Sequence, residues 1–406
     1  MPDDRKLIAI RAAIPSLAAG IQLNTGTAGP LPSEVAAAMD ELAAYELTIG
    51  RSHFDYYLQS LERMEEARAG AAIVIGADLA SMALTHATTD GMNMGTWGLD
   101  WRPGDVIVTT TQEHAGGLGP IYALRDRLGV EVRFAEIEDG GDDTRTLDAF
   151  DRAIVPGTRL VSFSHVLWST GAVLPVARVA DLAHDRGALV LVDGAQAAGA
   201  IPVSVGELKA DAYAFPAQKW LLGPEGMGAL YVSPGATDRL RPAAAGHFSF
   251  AAYDSRGTAD WQPGARAFEG SEYHRPSLAG MARAIGWLTM YVGLEFVHRR
   301  GPAVARRAAD ALAAIEGVEL LTPRHQMASL VTFRIRGWGA QAALDELSAR
   351  TFAIARTIVA LDALRISPGF FTSDAELDRF LDGVRLLAAH SPETIPQRRT
   401  LAMLGT

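Results

Sequence analysis

The sequence predicts an α/β protein: a large domain with a mostly parallel central sheet, followed by a smaller α+β domain. Three observations carry this. Short β-branched runs alternate with alanine-rich segments of helical spacing. Several of those runs are almost continuously apolar, as strands covered on both faces must be. After about Pro276 the texture changes to long helical patterns with few strand-like runs between them.

The strand runs lie at 106–109, 130–134, 160–163, 188–192, 212–215 and 228–232, the first four nearly continuous in apolar residues. Helical stretches at 121–128 and 176–186 sit between them. Beyond Pro276 a helical pattern covers 278–315, with a break expected near Gly301 and Pro302. Then come a strand at 330–335, a helix at 340–350, a strand at 364–367 and a helix at 373–388. Ser373 reads as the N-cap of that last helix, with Asp374 and Glu376 in an acidic first turn. The expected division is 21–285 for the large domain and 286–406 for the small one, with residues 1–20 packed on the latter.

Composition narrows the function. The 406 residues are 49% hydrophobic and 21% charged, enough for a large core. Lys and Arg number 37 against 47 Asp and Glu, a net charge of -10. No basic stripe offsets it, so no nucleic-acid partner is expected. There is no cysteine, which excludes disulfides, thiolate metal sites and a cysteine nucleophile. The ten histidines show no ligand spacing, so no metal is expected. The acidic start leads no long apolar run, and the apolar stretch at 69–83 is short and interrupted by Asp78. A cytoplasmic protein without a membrane span is the expectation.

The chemistry concentrates at two strand ends. The run 188–192 leads straight into Asp193, and the run 212–215 leads to Gln218, Lys219 and Trp220 before a glycine turn. Ligands of open parallel sheets sit at the carboxyl ends of strands. An aspartate and a desolvated lysine at neighbouring strand ends are what pyridoxal phosphate (PLP) needs. The lysine supplies a nucleophilic amine for a Schiff base, and the carboxylate keeps the pyridine nitrogen protonated. Alone, Asp193 reads as a turn cap and Lys219 as a surface lysine; their joint placement argues otherwise. Thr88 and Thr89 stand at the start of a helix whose free N–H groups suit a phosphate, although a simple N-cap would use the same residues.

These segments resemble the class V aminotransferase family of fold-type I PLP enzymes, which includes cysteine desulfurases and isopenicillin N epimerase-like proteins. The match runs from about Leu23 to Phe371, and is most specific at 192–196 and at 218–226. The resemblance implies the fold-type I PLP-dependent transferase fold and a homodimer. It makes Lys219 the Schiff-base lysine and proton shuttle, Asp193 the partner of the pyridinium nitrogen and Gln196 a donor to the phenolic oxygen. His114 becomes the imidazole stacked on the ring. Thr88, Thr89 and Gln218 hold the phosphate, with Ser271 or its neighbour completing the phosphate site of the other subunit. Arg365 grips the substrate α-carboxylate, a task suited to its planar fork. Without the resemblance, His114 reads as a strand-end histidine and Arg365 as a surface ion-pair residue.

Three departures stand out. Pro216 replaces a serine that often binds phosphate. Trp168 stands where desulfurases carry an asparagine, reshaping the substrate pocket or filling core. The missing cysteine closes the persulfide route, leaving open a C–S lyase that releases its product directly. An aminotransferase-type reaction on a small amino acid is the leading expectation, with epimerase or racemase and C–S lyase as alternatives. Lys219, Asp193 and Arg365 serve all three, so the substrate and the exact reaction stay open. A PLP-fold protein that binds without turnover is disfavoured by those intact residues, and a nicotinamide dehydrogenase by the missing glycine fingerprint.

Overall fold

The computed structural model describes residues 3–398, so the ends of the two expected domains, 1–2 and 399–406, lie outside it. Seven strands form the central sheet: β1 (Met82–Thr85), β2 (Val106–Thr110), β3 (Glu131–Ala135), β4 (Thr158–Ser164), β5 (Leu189–Asp193), β6 (Ala212–Pro216) and β7 (Gly228–Val232). Their order is β1-β7-β6-β5-β4-β2-β3. The five strands from β6 to β3 are parallel, and β7 enters antiparallel between β6 and β1. The fold is therefore the mostly parallel α/β architecture the sequence predicts. Strands β2, β5, β6 and β7 are buried at every position.

Two details differ from the sequence reading. The run at 130–134 becomes the edge strand β3, with Glu131 and Phe134 exposed, because its apolar residues alternate with charged ones. The helical pattern at 278–315 breaks at Gly293 rather than at Pro302. Helix Arg275–Gly286 runs on into a π-helical turn, Trp287–Val292, and Gly293 then takes φ 81, a conformation glycine adopts freely. Helix Leu294–Ala313 continues through Pro302.

The small four-stranded sheet is antiparallel, with β8 (Val318–Leu320), β9 (Val331–Ile335), β10 (Arg356–Ile358) and β11 (Ala363–Ile366) in the order β8-β9-β11-β10. Helices Leu294–Ala313, Ala340–Thr351 and Asp374–Ala388 cover it through a core of Val304, Ala308, Phe333, Leu347 and Phe380. Ser373 caps the last helix reciprocally with Glu376. The first helix, Asp3–Ala12, touches both halves. Ile10 and Ile14 enter the large core with Met64 and Phe371, while Arg11 forks onto Glu376 at 2.6 and 2.7 Å. No helix among the described residues is long and apolar enough to cross a membrane.

One buried ion pair fixes the start of the sheet. Arg68, on helix Phe54–Ile75, meets Glu269 in a bidentate pair at 3.0 and 2.7 Å, and Glu269 also accepts from the N–H of Leu84 in β1 at 2.8 Å. Both side chains are almost fully buried. Arg68 also meets the partly exposed carboxylate of Glu65 at 2.7 Å, so removing Glu269 leaves Arg68 one partner, whereas removing Arg68 leaves the buried Glu269 charge unpaired. Arg68→Ala should therefore lower stability by about 3–5 kcal/mol, and the double variant R68M/E269L should recover most of that. Urea denaturation measures both; a single-variant loss under about 1 kcal/mol would show the pair to be dispensable.

Candidate active site

The sheet's topology gathers four chain segments at one end. Strand β5 ends in Asp193, β6 leads into Gln218 and Lys219, β2 leads into Glu113 and His114, and β1 leads into helix Thr88–Trp97. Together with Gly26 and Thr27, and with Arg356 and Arg365 from the small sheet, they line a cavity of about 220 Å3.

Close backbone approach sets the lysine's position. Gly29 donates to the carbonyl of Gln218 at 2.7 Å, and a Cβ on Gly29 would lie 2.3 Å from the Lys219 carbonyl oxygen. Leu222 closes the following turn at φ 54, a strained conformation for a branched side chain. The glycine after Asp193 has a similar reason: a Cβ on Gly194 would sit 2.0 Å from the ring of Tyr213. These constraints hold Asp193 and Lys219 on neighbouring strand ends.

The electrostatics follow from burial. Desolvation lowers Lys219 to about 8, with Asp193 opposing the shift and Arg365 and Arg356 adding to it. Among the described residues no carboxylate forms a salt bridge with its ammonium. Asp193 accepts from the N–H of Ala195 through Oδ1 at 2.9 Å, and its Oδ2 takes no hydrogen bond from the described residues. His114 is lowered by desolvation and then by Lys219, and its Nδ1 accepts from Gly116 N–H at 3.0 Å. That bond places the proton of the neutral ring on Nε2. Beneath it, the buried carboxyl of Glu113 is raised by burial to about 7 while accepting from Thr110 and Ser164.

The cavity brings together Thr88, Thr89, His114, Trp168, Asp193, Gln196, Gln218, Lys219 and Arg365. Ser271 is exposed and does not line it. The side chain of Gln196 is already engaged, donating to the Gly26 carbonyl at 2.8 Å and accepting from the Trp220 indole at 2.9 Å. Arg365 is 1% exposed; it donates to the Trp168 carbonyl at 2.8 Å, and its buried Nε has no partner. The sequence reading missed Thr27 and Arg356. The signal for Arg356 was its pairing with Arg365 across β10 and β11, a register no local pattern announces.

The donor set fits pyridoxal phosphate. Helix Thr88–Trp97 begins after Ala87 with no side-chain cap, so its first N–H groups are free for a phosphate. Asp193 has an oxygen free to accept from the ring nitrogen, and Lys219 has a depressed amine.

Comparison with known proteins agrees. Residues 22–358 match the family model "Aminotransferase class-V". A probable cysteine desulfurase of Methanothermobacter thermautotrophicus is 30% identical over 329 residues, 80% of each chain. Isopenicillin N epimerase of Streptomyces clavuligerus is 29% identical over 384 residues, 90% of this chain and 94% of its own. Among solved structures, a cystine C–S lyase in complex with its product cysteine persulfide superposes with a TM-score of 0.87 at 28% identity, covering 93% of this chain and all of its own. A mutant of that lyase carries glycine covalently linked to PLP, with a TM-score of 0.87 at 27% identity over 92% of this chain and 98% of its own. With the lysine, the aspartate and the uncapped helix meeting at one cavity inside the matched region, the chain belongs to the class-V aminotransferase family and, like that family, is PLP-dependent.

Proposed function

We propose that the protein removes the α-proton of a small sulfur-containing amino acid and cleaves its β-carbon–sulfur bond, releasing the sulfur product to solvent. The observation that carries the proton removal is Lys219, an amine brought down to about 8 in a cavity that also holds the buried Arg365; the choice of C–S cleavage rests on the relatives. The net change is hydrolytic: R–S–CH2–CH(NH3+)–COO- and water give R–SH, pyruvate and ammonium. The relatives named above, two of them devoted to C–S cleavage, support this outcome over the amino-group transfer with which the sequence reading led. The absence of cysteine supports direct release, since the chain has no thiol to receive the sulfur.

Bound in the cavity, PLP supplies a conjugated ring that accepts the electron pair left by the departing α-proton. The N-terminus of helix Thr88–Trp97, with Thr88, Thr89 and Gln218, would hold its phosphate. Asp193 Oδ2 would accept from the ring nitrogen, His114 would lie on the ring, and Gln196 has one amide hydrogen left for the phenolic oxygen. Lys219 Nζ is the group placed to take the α-proton near neutral pH and return it. Arg365 orients the α-carboxylate, with Trp168 as the wall beside it. The proposal includes a homodimer in the cytoplasm, with Ser271 or its neighbour reaching the partner's phosphate. The groove between helices Ser33–Ile49, Phe54–Ile75 and Arg275–Gly286, flanked by exposed Leu47, Phe54 and Met290, is the face a second copy would cover.

The chain has three lysines, Lys6, Lys209 and Lys219, which makes a covalent test clean. After PLP loading and borohydride reduction, peptide mapping should place the cofactor on Lys219 alone. Lys219→Ala should lose the visible absorbance band and about 10^2–10^4 in rate. A tag on Lys6 or Lys209 instead would refute the assignment.

Protonation of Lys219 blocks its nucleophilicity, so reactivity must increase toward alkaline pH. Amine acylation of the cofactor-free chain at Lys219 should rise roughly tenfold per pH unit up to about 8 and then level off. A rise continuing unchanged to pH 10 would mean the amine is not depressed.

Thiol, pyruvate and ammonium should appear in equal amounts from a sulfur amino acid, without any keto-acid acceptor. Product that forms only when a keto acid is supplied would establish transfer. Solvent deuterium entering the α-carbon with inversion of its configuration, without thiol release, would establish epimerisation.

A further inference from the structure

The cavity wall that carries Trp168 leaves the end of β4, in the large sheet, but it is held by the small sheet. Residues 165–174 fold back on themselves: Leu167 donates to the Ala172 carbonyl and Leu174 to the His165 carbonyl, each at 2.9 Å. At the tip, four consecutive carbonyls each accept from the small antiparallel sheet or its β8–β9 connection. Trp168 accepts from Arg365 at 2.8 Å, Ser169 from Thr332 Oγ1 at 2.6 Å, Thr170 from Thr322 Oγ1 at 2.6 Å and Gly171 from the N–H of Ala328 at 3.0 Å.

Both threonines are buried, Thr332 completely, and neither lines the cavity. Thr322 Oγ1 also accepts from the Thr332 N–H at 2.8 Å, so the two rungs support each other. Thr332 stands opposite Arg365 in the β9–β11 pairing, which puts neighbouring rungs on neighbouring strands. Gly171 takes φ 81, and a Cβ there would lie 2.5 Å from the Leu330 carbonyl oxygen, so the tip sits directly against the small sheet. A buried carbonyl that loses its donor keeps the cost of its desolvation, so this ladder resists sliding.

The ladder ends on an aromatic contact. The rings of Trp168 and His114 meet edge-on, with centroids 5.4 Å apart at 87°. Among the described residues the His114 ring otherwise bonds only the Gly116 N–H. Resting on the assignment of His114 given under Proposed function, we propose that Thr332 and Thr322 are positioning residues for the cofactor. Through the carbonyls of Ser169 and Thr170 they hold Trp168 against His114, and so set the tilt of the imidazole on the cofactor ring. The small sheet thereby tunes cofactor binding from behind the wall.

The test is a double-mutant cycle read by cofactor affinity, with the lysine-bound absorbance band followed as PLP is titrated into the cofactor-free chain. T332V removes the hydroxyl and keeps the branched shape. It should weaken PLP binding about three- to tenfold, the range for losing one edge-on ring contact, and W168A should weaken it by a similar factor. Once Trp168 is gone, T332V should add less than about twofold. T332S keeps a hydroxyl and should bind PLP within about twofold of the unmodified protein. T351V makes the same change at a buried threonine whose hydroxyl donates to the Leu347 carbonyl, and should leave PLP affinity unchanged. T322V removes the next rung and should behave as T332V does, so the cycle can be run on it if T332V does not fold. The proposal is overturned if either valine variant, or W168A, binds PLP like the unmodified protein. It is also overturned if the valine variant weakens binding by the same factor with and without Trp168, because the threonine would then act by another route. A protein that shows the lysine-bound band but no such coupling loses this inference alone. A protein that forms no such band loses the assignment of Lys219 and His114 as well.

Discussion

The structure is organised around one expensive act: keeping the amine of Lys219 out of water without giving it a salt bridge. Desolvation of an ammonium is costly, and the chain resists relaxation by leaving the backbone no room to move. Gly29 packs against the lysine's own carbonyl, and Leu222 accepts a strained turn just beyond it. The amine is therefore displaced toward its neutral, reactive form by the fold itself. Asp193 pulls the other way, and the balance leaves Lys219 at about 8. An amine at that value holds its proton loosely near neutral pH, which is the property a proton shuttle requires.

Beneath the cavity lies a buried polar layer that fixes the geometry of the site. Glu113 accepts hydrogen bonds from Thr110 at the end of β2 and from Ser164 at the end of β4, so one carboxyl group bridges two strand ends. The next residue is His114, whose orientation inherits that rigidity. On the other side, His165 donates its backbone N–H to the Asp193 carbonyl at 2.9 Å and shares a hydrogen bond with the Tyr213 hydroxyl at 3.0 Å. Burial lowers His165 to about 4, so its ring stays neutral and serves as a brace rather than a charge. Satisfied polar groups in a low-dielectric interior rigidify strongly, and here they do so under both Asp193 and His114.

The sheet was legible because its strands are hydrophobic runs between helices, a pattern that depends on burial on both faces. The Asp193 and Lys219 strand ends were legible for the same reason: a charge abutting an apolar run has few places to go. Strand β1 escaped notice because Met82, Ala83 and Leu84 continue an alanine-rich helical stretch without a period of their own. The helix break was misplaced because proline is the louder local signal, while the conformation of Gly293 depends on the π-helical turn before it. Arg356 was invisible for a deeper reason. Its importance comes from standing opposite Arg365, and register between distant residues is set by tertiary pairing rather than by composition. Ser271 shows the converse limit: its expected role depends on a second copy, and within one chain it simply faces outward.

The segment joining the two arginines bears on how the reaction ends. It is a tight hairpin: β10, a single 3-10 turn at Val359–Leu361, then β11. Asp362 closes the turn at φ 42 and accepts from the N–H of Ala340 at 2.9 Å, tying the hairpin to the start of helix Ala340–Thr351. Both arms carry a guanidinium into the cavity, so the hairpin has little freedom to swing away and return. A sulfur atom leaving the substrate would meet arginines, a tryptophan and water, and no thiol anywhere in the chain. On the proposed reading, the same rigidity leaves no mobile acceptor in its path. This favours chemistry whose product departs by diffusion over chemistry that stores it on the protein.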